Sequence, residues 1–155
     1  MGIYDKKRGR FETSLGMRQL VKQVTTAQIL ALNATPVTLV PAPGANLALI
    51  FEGAMLFYKY NSAAYGGIAA GEDLAVKYTD GSGLQVGSCE ATGFLDLTAN
   101  AIRYINPYRA ASGVSDITPV ANSPLVLQML VGEVITGNSP LFVMVNYRVM
   151  PTVLG

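Results

Sequence analysis

The most regular alternation in the chain lies near its C-terminus. Leu141, Val143, Val145, Tyr147 and Val149 are all apolar, and Phe142, Met144, Asn146, Arg148 and Met150 between them are mixed. A period of two is that of a strand. One of its faces is expected in a core. The other carries Phe142 and Met144, so it too is expected to have a cover. Leu74, Val76 and Tyr78 alternate in the same way with Ala75, Lys77 and Thr79. Asp80-Gly81-Ser82-Gly83 then reads as a hairpin loop, and Leu84 to Cys89 as the returning strand. Shorter apolar stretches predict strands at Val37–Val40, Ala101–Ile105 and Leu125–Val131. Leu47 to Tyr60 reads as one long strand with a bend or bulge at Gly53, or as two strands.

Between these lie turn signals: Pro41-Ala42-Pro43-Gly44, Asn106-Pro107 and Gly137-Asn138. Asn61 to Gly71 and Arg109 to Val120 read as long loops, and Thr92 to Asp96 as a turn or one helical turn. Helical signal is confined to the start of the chain. Thr25 is placed to cap a short helix, with Gln28 three residues on as in a capping box, and Asn33 and Pro36 ending it. Ser14 to Gln23 is read as a further helical turn. Seven or eight strands divided by Gly/Pro turns predict an all-β chain, a β-sandwich or jelly roll in a single domain with one or two short helical turns. Residues 1–13 have no period and are expected to form an extended arm. The division is a basic N-terminal arm over 1–23 and a sandwich over 24–155.

Composition changes this picture in one respect. Half of the 155 residues are hydrophobic and only 14% are charged, against about a quarter in ordinary soluble domains. Surfaces so poor in charge tend to associate. The net charge is +1, so the molecule as a whole has no nucleic-acid signature. Yet residues 1–22 hold six cations against two carboxylates, a net of +4, and the remainder holds five against eight, a net of −3. The arm therefore carries the candidate contact residues. Lys6, Lys7, Arg8, Arg10 and Arg18 suit carboxylates, Arg8 and Arg10 in bidentate fashion, while Ile3, Tyr4 and Phe11 suit apolar pockets. An acidic surface, the body of a neighbouring copy or a nucleic acid would each complement such an arm.

Candidate chemistry is thin. The chain has no histidine, so neither a Ser-His-Asp nor a Cys-His device is available, and zinc lacks its usual ligands. Cys89 is the one cysteine and reads as a structural thiol in a strand. Glu72 and Asp73 adjoin, and neighbours on a strand diverge. Asp80, Glu90, Asp96, Asp116 and Glu133 sit at turns and strand ends, which suits solvated acids better than a catalytic pair. The loop from Asp80 to Gly83 lacks the acidic spacing of a calcium loop. Gly66 to Gly71 has no Lys-Ser/Thr after it and reads as a flexible loop, not a phosphate cradle. The tyrosines suit packing better than a sugar-stacking platform. No catalytic, metal or cofactor residue is expected, and no membrane partner: no secretory h-region follows the basic cluster, and no apolar stretch reaches the roughly 18 residues of a span.

Three stretches resemble small virion proteins of tailed bacteriophages: residues 26–44 (TAQILALNATPVTLVPAPG), 71–83 (GEDLAVKYTDGSG) and 132–149 (GEVITGNSPLFVMVNYRV). Among these are capsid cement or decoration proteins with a jelly-roll-like sandwich. The resemblance spans roughly residues 24–150 and leaves out the arm. It implies a non-enzymatic protein on the capsid surface of a virion, made in the host cytoplasm. Its partners would be the major capsid protein and itself, as a homodimer or homotrimer. A tail, neck or fibre-base component and a carbohydrate-binding jelly-roll module for host attachment remain as alternatives.

Overall fold

A computed structural model describes residues 3–5, 10–12, 16–108 and 117–152. Eight of its strands form two antiparallel four-stranded sheets. The first sheet holds β3 (Arg18–Val24), β10 (Leu141–Pro151), β5 (Leu47–Tyr58) and β8 (Ala101–Ile105), side by side in that order. The second holds β4 (Val37–Val40), β9 (Leu125–Met129), β6 (Asp73–Tyr78) and β7 (Gln85–Glu90). Counting these eight from one, the sheets read 1-8-3-6 and 2-7-4-5. That is the order produced by rolling up one long hairpin whose arms pair first with last, and it makes the expected sandwich jelly-roll-like.

Two further strands, β1 (Ile3–Asp5) and β2 (Arg10–Glu12), pair antiparallel with Tyr4 opposite Phe11. Over these residues the arm is a hairpin, where the sequence predicted a single extended line. A second difference lies just downstream. The helical turn expected over Ser14–Gln23 is a strand from Arg18 onward, and β3 is an edge of the first sheet. The sandwich thus begins inside the segment assigned to the arm. Residues 18–24 show only Leu20 and Val24 as apolar side chains turned inward, an alternation too short to outweigh local propensity.

The helix α1 (Thr26–Leu30) follows as expected. Gln28 N–H donates to Thr25 Oγ1 at 3.4 Å and Thr25 N–H donates to Gln28 Oε1 at 2.9 Å, completing the capping box. Gly53 also behaves as its position in a strand implied. Asn146 pairs with Gly53 and Tyr147 with Phe51, leaving Glu52 as the extra residue of a bulge, and Gly53 takes a φ of +131° that other residues avoid. The bulge preserves the inward set on both sides of it, Leu49 and Phe51 before and Ala54, Leu56 and Tyr58 after, all buried.

The core lies between the sheets. Leu141, Val143 and Val145 of β10 face Leu74, Val76 and Tyr78 of β6 and Leu125, Leu127 and Met129 of β9 across one continuous cluster. On one side the sheets close tightly: a Cβ on Gly87 of β7 would sit 2.6 Å from the carbonyl oxygen of Asn106, so the approach of β8's end requires glycine. At one end of the core, Tyr58 lies 5.9 Å from Phe94 and 6.3 Å from Tyr65, ring to ring. Tyr65 comes from the segment Asn61–Gly71, which the sequence reads as a long loop, flexible over Gly66–Gly71. That loop is tied down. Tyr65 Oη donates to the Ser139 carbonyl at 2.7 Å, Asn138 Oδ1 accepts from Ala63 N–H at 2.9 Å, and Glu72 Oε2 accepts from Ala69 N–H at 2.9 Å.

The two neighbouring tyrosines differ in one respect. The Tyr65 hydroxyl is buried and bonded, while the buried Tyr58 hydroxyl makes no hydrogen bond of good geometry among the described residues, the Ser139 side chain interacting with it only weakly. Removing a satisfied buried hydroxyl exposes its acceptor to loss, whereas removing an unsatisfied one removes a cost. Tyr65→Phe is therefore expected to lower unfolding free energy by about 1–2 kcal/mol, and Tyr58→Phe to leave it within about 0.5 kcal/mol or raise it; urea titrations of the two variants give the comparison.

Candidate assembly surface

In a two-layer sandwich each sheet has an outer face, and the two outer faces of this molecule differ in chemistry. Residues directly opposite on neighbouring strands share a face, so the register assigns the rows. On the second sheet one outer row runs Thr38, Val126, Lys77 and Gln85, and the next includes Gln128, Ala75 and Ser88. This face is mixed and partly covered: Val126 and Ala75 are buried in it, and most of its polar side chains are bonded, Gln128 Oε1 excepted among the described residues. Lys77 Nζ donates to the Gly81 carbonyl at 2.7 Å, Gln128 Nε2 to the Asn33 carbonyl at 3.0 Å, and Ser88 Oγ to Asp73 at 3.0 Å.

The first sheet is the reverse. One outer row runs across all four strands as Val21, Met144, Met55 and Tyr104. The adjacent row runs Gln23, Phe142, Phe57 and Ile102. Neither row contains a charged residue. Val21 and Tyr104 are each 62% exposed and Ile102 is 55% exposed, while the two methionines and two phenylalanines at the centre are half-buried against one another. Phe57 and Phe142 lie 6.3 Å apart, ring to ring. The rows are bounded by amides, with Gln19 Nε2 donating to Asn146 Oδ1 at 3.0 Å, and then by the ion pair of Arg148 Nε with Glu52 Oε1 at 2.8 Å. Isolated exposed apolar side chains are ordinary, but a contiguous apolar face is not.

Phe142 and Met144 are the part of this surface legible in the sequence. Val21, Met55, Phe57, Ile102 and Tyr104 were missed. The signal for two of them was present: Ala54-Met55-Leu56-Phe57-Tyr58 is apolar without alternation, and in an antiparallel sheet such a run has apolar side chains on both faces.

The arm residues singled out by charge are distributed differently. Ile3 and Tyr4 lie on β1, Arg10 and Phe11 on β2, and Lys6, Lys7 and Arg8 fall outside the described residues. Arg18 opens β3, on the inward-turned side of that edge. It lines a small groove of about 230 Å³ with Pro41, Pro43 and Tyr147. Lys22, on the same side, lines a larger one of about 450 Å³ between α1 and β4. At the opposite edge Arg103 is also turned inward, donating to the carbonyls of Thr92 and Gly93 and lying 5.2 Å above the Phe94 ring. Both edges of the first sheet thus carry cations aimed at the inner side.

Several of the remaining carboxylates serve the loops. Glu133 accepts from the backbone N–H groups of Asn33 and Ala34, holding the turn after α1, and Glu90 accepts from Gly71. Asp80 accepts from Ser82 within its hairpin. Burial pushes the Cys89 thiol up to about 12 from 9.0, with Arg103 acting in the opposite sense. Burial raises Tyr65 and Tyr78 to about 12 as well; the Tyr78 hydroxyl donates to the Leu49 carbonyl. Tyr58, Tyr65 and Tyr78 are core residues. No helix among the described residues is long and apolar enough to cross a membrane.

No protein-family model matches the chain, and no curated protein matches it. Among solved structures, a chain from the capsid of Ralstonia phage GP4 aligns with 86% of this chain and 84% of its own length, at a TM-score of 0.44 and 13% identity. A likeness of that size transfers no role.

Three predictions follow, two from the buried titratable groups and one from the first sheet's outer face. Cys89 and the two tyrosines are each neutral when protonated, and their folded values lie above their unfolded ones. Their contribution to stability is complete below pH 9.0, begins to fall there as unfolded Cys89 ionises, and is lost as pH rises to about 12. The urea midpoint should fall over that window, and a thiol-specific reagent at pH 8 should label native Cys89 at least roughly tenfold more slowly than unfolded chain. Separately, Val21→Thr with Ile102→Thr keeps β-branched side chains on an exposed surface, so the unfolding free energy of the separated chain, measured at high dilution, should change by less than about 0.5 kcal/mol. A larger loss would mean that these side chains hold the monomer together.

Proposed function

We propose that this chain is a structural protein of a tailed-phage virion, and specifically a cement or decoration protein. It binds the assembled capsid and stabilises it by clamping neighbouring capsid subunits. The observation that carries this reading is the outer face of the first sheet, two uncharged rows across four strands that are apolar except at Gln23, on a molecule whose other outer face carries polar side chains bonded to its own loops. A surface of that kind fits a protein that works inside an assembly. The sequence resemblance supplies the type of assembly. The absence of histidine from the whole chain and the use of Glu72, Glu90 and Glu133 to hold loop backbone fit a protein without a catalytic task.

In this reading the basic arm meets the shell. Ile3, Tyr4 and Phe11 anchor it, and its cations pair with carboxylates of the major capsid protein. Stabilisation is by mass action: a ligand that binds the assembled shell and not the separated subunits adds about 2.7 kcal/mol per site at a hundredfold excess over its dissociation constant. Many copies multiply the effect.

The test is to heat purified shells with and without the protein. Shells carrying it should open at a higher temperature, and protein lacking residues 1–15 should neither bind nor protect. Equal heat resistance with and without bound protein sinks the cement reading. A copy count on purified particles decides between neighbouring roles: hundreds of copies place the chain on the shell, a few dozen or fewer in the tail or neck.

A further inference from the structure

The apolar rows of the first sheet require a cover, and the sheet itself narrows what that cover is. Strand addition at its edges is opposed. β3 turns Arg18 and Lys22 inward, and β8 does the same with Arg103, and inward-pointing charges on edge strands block pairing with a further strand. Association is thereby directed to the face. The patch spans four strands about 4.8 Å apart and two rows about 7 Å apart. The surface that meets a twisted sheet of this kind with fewest gaps is another sheet of the same twist, crossing at about −30°.

The side chains favour an identical sheet. Neither row carries charge, so two copies meet with no like charges opposed. Met55 and Met144 lie at the centre, and unbranched thioethers adapt to each other's shape. The polar groups at the margin are the amides of Gln19, Gln23 and Asn146, which both donate and accept and so can pair with their own kind across a two-fold axis. Apolar patches on monomers reach about 300–600 Å², and a stable interface takes about 800 Å² from each partner. The two rows supply the apolar centre of such an interface and the amides its rim.

We propose that two copies of this chain pack these faces together about a two-fold axis, burying the apolar rows as a third hydrophobic layer between subunits. This deepens, and rests on, the reading of that face as an assembly surface. It also makes the clamp bivalent: one dimer carries two arms, and the second arm binds at the effective concentration set by the first.

Sedimentation velocity on the full chain tests it over a roughly hundredfold concentration range, since dimerisation follows mass action. Wild type and Met144→Leu should have twice the chain mass. Tyr104→Lys and Met144→Lys should have the mass of one chain with unchanged circular dichroism. Tyr104 is exposed, so its variant stays informative if Met144→Lys fails to fold. The wild-type dimer should persist in roughly 1 M salt, because screening removes charge attraction and not apolar burial. A wild type of one chain mass throughout, a trimer, or a dimer unaffected by Tyr104→Lys overturns the proposal. Shell binding is read separately. A dimer that binds no shell supports this pairing and sinks the cement reading, whereas a wild-type monomer that binds shells does the opposite.

Discussion

A two-layer sandwich buries the inner face of each sheet against the other and leaves each outer face to whatever else covers it. Here Val126 and Ala75 on the second sheet's outer face are buried, and the first sheet's outer rows are half-buried or exposed. Strand β10 is where this division is most visible. Its side chains alternate between the core, through Leu141, Val143 and Val145, and the outside, through Phe142 and Met144. β10 pairs with β3 on one side and β5 on the other, so its register places the outward residues of three strands in common rows, and β8 extends them. The pairing that assembles the core also assembles the apolar outer face.

The loops are held with unusual economy of charge. Glu72, Glu90 and Glu133 each accept from backbone N–H groups, and Arg103 bonds backbone carbonyls. Charge-assisted bonds of this kind are stronger than neutral ones, so a chain with few ionic groups still orders its long connections. The consequence falls on the surface. Ionic groups committed to loop backbone are not available to solvate the first sheet, whose apolar rows remain free of charge while most polar side chains of the second sheet's outer face are bonded within the chain. A low charge content is therefore not spread evenly over the molecule; it is concentrated as a deficit on one side.

That asymmetry connects the fold to the proposed role. A sheet whose edges carry inward cations cannot extend sideways, and one whose face is apolar is not at rest in water. The two conditions together favour closed, face-to-face association over open-ended growth. A virion component needs this property, because an uncontrolled edge leads to fibres and a face pairing stops at a defined number of copies.

Local chemistry was enough to identify most elements. The capping box at Thr25 and Gln28, the bulge at Gly53, the hairpin through Asp80–Gly83 and the alternation of β6 and β10 each depend on a few neighbouring residues, and each formed where the sequence placed it. The edge strand β3 was misread as a helical turn because its strand character comes from pairing with β10, more than a hundred residues away, and not from Arg18–Val24 themselves. The arm hairpin was missed for a related reason, since two three-residue strands carry no periodicity to read. The outer face was legible only at Phe142 and Met144. Val21, Met55 and Tyr104 belong to one row because backbone hydrogen bonds align four strands distant in sequence, and no local pattern encodes that alignment. The sequence by itself determined most of the sandwich strands and how far charge is depleted. Only the tertiary register decided that the depletion falls on one continuous face.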